Sequence, residues 1–409
     1  MSKKKKLAIH GGSPVRRTPL PPMYPGATFI DEAEQNSVKK VLESKSLFRY
    51  YGPKFLNITG EFERALSSYL GTKYVLGVNS GTSALHCALT GVGVGAEDEV
   101  IIPAYAWVSC PCAVIAAKAR PVLANIDKSL TLDPKEIENK VSERTKAVMA
   151  VHIRGVGCDM DPIMKIARKY ELKVVEDVAQ AAGGTYHGKK LGSIGDVGTF
   201  SFQLNKIISA GEGGAVATDD PVIYERAVML HDAGAPYRGR ITSRDFIPGV
   251  NYRMNEVIAA IMIEQLKKID KIILAMKKNK KKIKEEISDI EGIEFRHLPD
   301  PEGDTSVCLV FYLPTAEKAR EFQRALHAEN IYVSSGGYPP VIYDPEVFDG
   351  HVFVHWKHIF KNLDKIMSKY SQTLDILGRA VHLDISPLFT ESDIESIIEG
   401  IHKVADALL

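Results

Sequence analysis

Residues 173–180 read Lys173-Val174-Val175-Glu176-Asp177-Val178-Ala179-Gln180, a short apolar run that ends in carboxylates. A run of this length, followed by polar residues, is typical of a buried strand. Ligands of open α/β sheets bind beyond the carboxyl ends of the strands, so Asp177 is a candidate ligand-binding residue. The sequence leaves a second interpretation open, in which Asp177 caps a following helix.

The residues around this strand continue an alternation of short apolar runs and helical patterns. Helices are predicted from Thr82, from about Ala106 and over 160–170. Alternating strands and helices predict a largely parallel sheet that helices cover on both faces. The strands predicted for this sheet are 74–78, 99–102, 121–126, 147–153 and 173–176.

A smaller α/β region is predicted in the C-terminal part of the chain. A long helical segment follows Arg253 and includes the lysine-rich stretch 277–284, which we interpret as a solvated helix face and not as a nucleic-acid site. The elements predicted after it are strands over 307–313, 331–333 and 380–383, in an antiparallel sheet, and helices over 316–328, 362–377 and 391–409. The predicted division is an N-terminal arm over 1–30, a large domain over 31–252, a linking helix over 253–290 and a small domain over 291–409.

Composition narrows the possible functions. The 409 residues contain 52 Lys and Arg against 51 Asp and Glu, so no overall field favours nucleic acid or an acidic membrane. No apolar run reaches the roughly 18 residues that span a bilayer, and Lys3 to Lys6 are interpreted as a frayed tail, so we expect a cytoplasmic protein. The Cys110-Pro111-Cys112 motif hints at metal or redox chemistry, but buried free thiols are the favoured interpretation and no metal site is predicted.

Three further motifs lie just after predicted strands. Ser80-Gly81-Thr82 combines free N–H groups at a helix start with hydroxyls, which suits a phosphate, although many ordinary helices begin this way. Lys206 lies between an aromatic strand and Gly211-Glu212-Gly213-Gly214, a context that suits a Schiff-base lysine better than a surface charge. Trp107 offers an aromatic face for stacking, or else belongs to the core.

Together these segments resemble the DegT/DnrJ/EryC1/StrS sugar aminotransferases, within the fold-type I pyridoxal-phosphate enzymes. The likeness covers nearly the whole chain, and its most specific parts are Glu176-Asp177 with Ala179-Gln180, then Ser201-Phe202 with Lys206 and the Gly-Glu-Gly-Gly turn. It implies an α/β fold-type I aminotransferase: a large pyridoxal-phosphate-binding domain with a mostly parallel seven-stranded sheet sandwiched by helices, plus a smaller C-terminal α/β domain. It also implies pyridoxal 5'-phosphate as cofactor and a homodimer with shared active sites.

The resemblance also implies a role for each matching residue. Lys206 and Asp177 are the catalytic pair, the first bound to the cofactor as a Schiff base and the second paired with its pyridinium nitrogen. The remaining cofactor contacts are Gly81, Thr82 and Ser201 at the phosphate, Trp107 stacked on the ring, Gln180 at the phenolic oxygen, and Asn251 at the phosphate of the neighbouring subunit.

Two departures from the family pattern concern the substrate. Arg154 follows Val151-His152-Ile153 where members of the family often carry Tyr or Trp, and Arg49 with Tyr50 forms an unusual cluster in a loop that usually shapes the substrate site. Either arginine could bind a carboxylate or phosphate of a substrate, or form an interface ion pair. Tyr338 is a further candidate substrate contact.

The reaction that the resemblance implies is transfer of an amino group from glutamate or glutamine to a keto sugar or keto cyclitol. One alternative is a sugar dehydratase with the same cofactor, but relatives of that kind replace the lysine with histidine, whereas this chain retains Lys206. Another alternative is a non-catalytic regulatory protein of the same fold. The acceptor stays open among a keto-inositol, an aminobenzoate precursor, an 8-oxo octulosonate and a nucleotide-linked keto sugar.

Overall fold

The computed structural model describes residues 6–238, 241, 246–335 and 369–409, so Tyr338 and the first part of the predicted helix 362–377 lie outside the described residues. The helices are α1 (Glu32–Ser44), α2 (Ile58–Leu70), α3 (Gly81–Gly91), α4 (Ser109–Ala116), α5 (Pro134–Lys140), α6 (Met160–Lys169), α7 (Pro221–His231), α8 (Glu256–Glu286), α9 (Ala316–Ala328), α10 (Ser371–Arg379) and α11 (Glu391–Leu408). The strands are β1 (Tyr74–Val78), β2 (Glu99–Pro103), β3 (Arg120–Ala124), β4 (Thr145–Val151), β5 (Lys173–Asp177), β6 (Thr185–Tyr186), β7 (Lys189–Lys190), β8 (Val197–Ser201), β9 (Gly214–Thr218), β10 (Glu294–Phe295), β11 (Cys308–Tyr312), β12 (Ser334–Ser335) and β13 (Ala380–Asp384).

Seven of these strands form one large sheet in the order β1-β9-β8-β5-β4-β2-β3. The strands are parallel except for β9, which runs antiparallel to both of its neighbours. The predicted seven-stranded, mostly parallel sheet is therefore confirmed. The carboxyl ends of β1, β4, β5 and β8 consequently meet at one edge of the sheet, which is where the predicted site residues follow.

The strands of the large sheet are apolar because both of their faces are buried. Along β4, Val148 and Ala150 belong to one apolar cluster, whereas Met149 and Val151 belong to the other. This alternation is the period of two that a strand imposes on its side chains. Helix α4 begins at Ser109, slightly later than the predicted start near Ala106, because the chain first turns through Trp107, whose carbonyl accepts the Cys110 N–H at 2.9 Å.

The long helix α8 lies within the predicted linking segment 253–290. Asn255 caps its start by accepting the Ile258 N–H, and the helix buries one side against α1 and α2. The lysine-rich stretch is not solvated throughout, because Lys280 is buried and pairs with Asp304. Within the described residues, no helix combines the length and the apolar character that crossing a membrane requires. The domain boundaries themselves stay a prediction.

The second sheet has four strands in the order β10-β11-β13-β12, and every pairing is antiparallel, as predicted for the C-terminal region. The strand predicted at 331–333 is wrong: Ile331 and Val333 are buried apolar residues of a loop after α9, and pairing with β13 begins only at Ser334. The β11 side chains of Cys308, Val310 and Tyr312 join the apolar cluster that also includes residues of the large sheet. This face of the small sheet thus packs over the large one.

Candidate active site

Asp177 is the last residue of β5, and its side chain is buried and held by two donors. Its Oδ1 accepts the Ala179 N–H at 3.0 Å, and its Oδ2 accepts the thiol of Cys110, from α4, at 3.2 Å. Burial, and next the Asp177 carboxylate, raise the pKa of the Cys110 thiol well above its usual range, so the thiol stays protonated and donates. The residues after Asp177 form turns and not a helix, so the helix-cap interpretation does not hold.

Lys206 follows β8 in a tight turn, where its N–H donates to the Gln203 carbonyl at 3.0 Å. Its own carbonyl accepts the N–H of Gly26, from the N-terminal arm, at 3.1 Å. Burial lowers the pKa of the Lys206 ammonium; the charge of Asp177 opposes this shift, and the charge of Arg154 adds to it. The lysine therefore lies within electrostatic reach of both residues, in surroundings that favour the neutral, nucleophilic amine.

A candidate phosphate cradle lies between the ends of β1 and β8. Ser80 caps α3 by accepting the Ser83 N–H at 3.1 Å, and the hydroxyl of Thr82 donates to Ser109 at 2.8 Å. A Cβ atom at Gly81 would lie 2.6 Å from the Cβ of Ser201, so only glycine lets these two segments approach so closely. Free N–H groups at a helix start beside hydroxyls form a typical binding site for phosphate.

Gln180 and Trp107 border the same edge of the sheet. The side-chain oxygen of Gln180 accepts the backbone N–H of Arg154 at 3.1 Å, which ties the turn after β5 to the loop after β4. The Trp107 side chain is 54% exposed, so it is not the core residue that one interpretation of the sequence allowed. It lies three residues before Cys110, the donor to Asp177, in the segment between β2 and α4.

The two candidate arginines, Arg49 and Arg154, differ in their contacts. Arg49 is buried, donates to the Gly77 carbonyl at 2.9 Å and pairs with Glu63 at 2.7 Å, which favours the ion-pair interpretation over substrate binding. The hydroxyl of the neighbouring residue, Tyr50, contacts Nε2 of His231 at 3.3 Å. Arg154 is different, because it adjoins Gln180 and its guanidinium reaches Asp384 of β13 at 2.8 Å.

Asn251 is exposed, and its backbone pairs with that of Asp232. Its carbonyl accepts the side-chain N–H of Asn79, just after β1, at 3.5 Å. Asn251 thus lies on the surface close to the strand end that leads into the cradle.

Sequence reasoning missed two polar residues of this region. Cys110 was interpreted only as a buried thiol or a weak metal hint; it is buried and free, and the described residues contain no cluster of His, Cys, Asp and Glu that could hold a metal. Its place at the start of α4, three residues after Trp107, was the available signal. Asp384 carried no such signal, since it lies 230 residues from Arg154 in the sequence.

Comparison with known proteins identifies the family. The model of the DegT/DnrJ/EryC1/StrS aminotransferase family matches residues 28–402. The chain belongs to this family.

A GDP-perosamine synthase of Caulobacter vibrioides is 43% identical over 53% of the chain, although the match spans only 58% of that relative's own length. An L-glutamine:2-deoxy-scyllo-inosose aminotransferase of Streptomyces kanamyceticus is 32% identical over 83% of each chain. A solved 3-amino-5-hydroxybenzoic acid synthase has a TM-score of 0.81 and 28% identity, with 96% of this chain and 99% of that one covered.

Membership in the DegT/DnrJ/EryC1/StrS aminotransferase family confirms the predicted fold class, enzyme class and cofactor. The described residues also fit pyridoxal phosphate on physical grounds. The cradle that a Cβ at Gly81 would fill suits its phosphate, and the buried carboxylate of Asp177 suits a protonated ring nitrogen. Lys206, with its lowered pKa, suits the aldehyde.

Proposed function

We propose that this family member transfers an amino group from glutamate or glutamine to a keto sugar or keto cyclitol. The observation that carries the proposal is the convergence of Asp177, Lys206 and the Gly81–Ser201 cradle at one edge of the large sheet. The acceptor class is supported by relatives whose names refer to perosamine and to a scyllo-inosose. The name of the second relative also supports glutamine as donor.

Pyridoxal phosphate, when bound, supplies an aldehyde that condenses with amines and a ring that accepts electrons from the reacting carbon. Asp177 would accept a hydrogen bond from the ring N–H and so keep that nitrogen protonated. Cys110 and the Ala179 N–H hold the carboxylate in one orientation for this task. Lys206 would bind the aldehyde of the cofactor, and its Nζ would move a proton at the reacting carbon.

The other predicted residues bind the cofactor in this proposal. Gly81, Thr82 and Ser201 would hold the phosphate through the N–H groups and hydroxyls at the start of α3, while Gln180 would contact the phenolic oxygen. Trp107 would stack on the ring. The exposed position of Asn251 beside β1 supports its contact with the phosphate of a neighbouring subunit, and we therefore propose a homodimer with shared active sites.

Retention of Lys206 favours transamination over the dehydratase alternative, because the lysine is the group that returns protons to carbon in the proposed reaction. The intact set of Asp177, Lys206 and cradle residues likewise disfavours a non-catalytic scaffold, which has no need to maintain a buried carboxylate beside a lysine.

The test is a single-turnover experiment on the aminated, pyridoxamine form of the purified holoenzyme. We expect keto sugars or keto cyclitols to return the absorbance of the pyridoxal form much faster than pyruvate or oxaloacetate does. The physical reason is that hydroxyl-binding groups of the site stay unpaired with a small keto acid. Discharge by ordinary keto acids alone, with every sugar and cyclitol inert, would contradict the proposed acceptor class. The reverse half-reaction, with glutamate and glutamine in parallel, identifies the donor.

A further inference from the structure

Arg154 lies in a loop that both sheets hold in place. Its N–H donates to Gln180 at 3.1 Å, on the side of the large sheet. The buried Arg296 donates to the carbonyls of Ile153 at 2.9 Å and Arg154 at 3.4 Å. Arg154 also has a φ of 50°, a left-handed conformation that a residue other than glycine adopts only where its surroundings impose it. The backbone of Arg154 is thus fixed beside the candidate cofactor site.

The guanidinium of Arg154 extends from this loop to the small sheet. Its Nη1 lies 2.8 Å from Oδ1 of Asp384, and the Asp384 side chain is 41% exposed against 19% for Arg154. Asp384 also borders a cavity of about 450 Å³, which it shares with residues 19–23 of the N-terminal arm and with Tyr332. That volume is within the range of small-molecule sites. Asp384 therefore contacts Arg154 and also borders a ligand-sized space.

The same strand carries a second polar side chain, His382. His382 is two residues before Asp384, so both side chains project from one face of β13. His382 is buried, and among the described residues neither ring nitrogen has a hydrogen-bond partner. Burial, followed by the charges of Arg154 and Arg296, lowers the pKa of His382 well below its usual range, so the ring stays neutral. A buried polar group without a partner is an expected contact for a ligand hydroxyl or a water.

We propose that Arg154 and Asp384 form an exchangeable ion pair that selects acceptors carrying an anionic oxygen group, either a carboxylate or a phosphate. The anion of the acceptor takes the place of Asp384 on Arg154. This inference rests on the proposed function, because it states which keto sugars or cyclitols the site accepts. Arginine matches both kinds of anion through its planar array of donors, and an ion pair with a partly exposed acid is weak enough to exchange.

We assign the anion to the acceptor because the group that it replaces, Asp384, borders the cavity. The backbone of Arg154 contacts Gln180, whereas its guanidinium contacts Asp384, which borders the cavity, and its charge also lowers the pKa of Lys206. The α-carboxylate of a donor is one bond from the carbon that reacts beside Lys206. An anion that replaces Asp384 instead lies on the cavity side, as expected for a group several bonds from the reacting carbonyl.

The test compares Asp384→Asn with the parent protein, both as the aminated holoenzyme. The probes are glucuronate, glucose 6-phosphate and glucose, and their dissociation constants are measured by calorimetry or ligand-observed NMR. Asp384→Asn removes the competing anion, so at least one anionic probe should bind about tenfold more tightly, while glucose is unchanged. Arg154→Met should abolish the preference for the anion. The matched control is Asp375→Asn, which removes the partner of Arg379, 3.3 Å away on α10; it should change none of the three constants.

The two anionic probes distinguish a carboxylate from a phosphate on the acceptor. Weakening of all three probes in Asp384→Asn would overturn the inference and identify the pair as a structural brace. Unchanged anion binding in both variants would also overturn it, as would an Arg154→Met variant that slows only the half-reaction with glutamate or glutamine. These failures differ from failure of the proposed function, in which no keto sugar or cyclitol, anionic or neutral, discharges the parent enzyme.

Discussion

Replacing Asp177 by asparagine tests the proposed chemistry most directly, because the structure fixes how the new amide would lie. The Ala179 N–H lies 3.0 Å from Oδ1, so the amide oxygen must occupy that position. The amide nitrogen then replaces Oδ2, next to the Cys110 sulfur at 3.2 Å. A thiol and an amide cannot both donate along this contact, so the thiol must turn away and offer its sulfur as a weak acceptor.

The amide nitrogen can donate to the cofactor ring but cannot accept from it. The ring nitrogen must therefore be unprotonated in Asp177→Asn, and the ring loses most of its capacity to accept electrons from the reacting carbon. We expect the variant to retain cofactor through its phosphate and Lys206, and to slow both half-reactions by at least about 100-fold, the scale of one acid–base contribution. Stopped-flow absorbance of each half-reaction, with bound cofactor measured in the same samples, gives both quantities.

Asp196→Asn is the matched control. Asp196 also binds a backbone N–H of β5, that of Val174 at 2.8 Å, and pairs with Lys173 at 2.8 Å, but it does so at the opposite end of the strand. It should lower the thermal stability of the protein and leave both half-reactions near the parental rates. Near-parental rates in Asp177→Asn, with cofactor bound, would refute the assignment of Asp177 to the ring nitrogen.

Three further predictions concern the lysine and the neighbouring subunit. Lys206→Ala should abolish turnover and the visible absorbance of the holoenzyme, and borohydride trapping with peptide mapping should label only Lys206 in the parent; a label on another lysine would exclude this assignment. Lys206→Met should stabilise the apoenzyme against urea, because burial lowers the pKa of Lys206 and so penalises the folded state while the amine is charged. This gain should be complete below the folded-state pKa and vanish as the pH rises through the unfolded value of about 10.4; a gain that is constant with pH would refute the argument. Mixing inactive Lys206→Ala and inactive Asn251→Ala subunits should restore one working site per heterodimer, and no recovery after verified subunit exchange would argue against shared sites.

Strands β1 to β5 of the large sheet were predictable because each is a short apolar run, whereas no strand was predicted over β9 (Gly214–Thr218), which follows directly on the glycine-rich turn. β1 matches its predicted range, and β5 extends the predicted 173–176 by only one residue. A strand that is buried on both faces is apolar along its whole length, so its own sequence is enough to predict it. The positions of Asp177 and Lys206 follow, because each comes directly after such a strand or its turn. The failed strand at 331–333 has the opposite cause, since its apolar residues serve packing in a loop and not pairing in a sheet.

The contacts of the arginines could not be predicted in the same way. Arg49 and Arg154 both looked like possible anion-binding residues, and the difference between them lies in partners that only the fold supplies. Glu63, on α2, pairs with Arg49 where both side chains are largely removed from solvent. Asp384 comes from the small sheet, and its pair with Arg154 stays partly exposed. The hydrophobic periodicity of the sequence indicates which residues are buried, but it does not indicate which buried charged side chains contact each other.

The loop 153–155 shows that the small sheet is part of the candidate site and not only a cover for it. Gly155 has a φ of 84°, its carbonyl accepts the Thr305 N–H at 3.0 Å, and a Cβ atom there would lie 2.6 Å from Oγ1 of Thr305. Arg296 binds the carbonyls just before it, so residues near the small sheet fix three consecutive residues of the large-sheet edge. The same loop positions Gln180 through Arg154. Any displacement of the small sheet must therefore change the cofactor's surroundings and the Arg154–Asp384 pair together, which couples acceptor selection to the chemistry at Lys206.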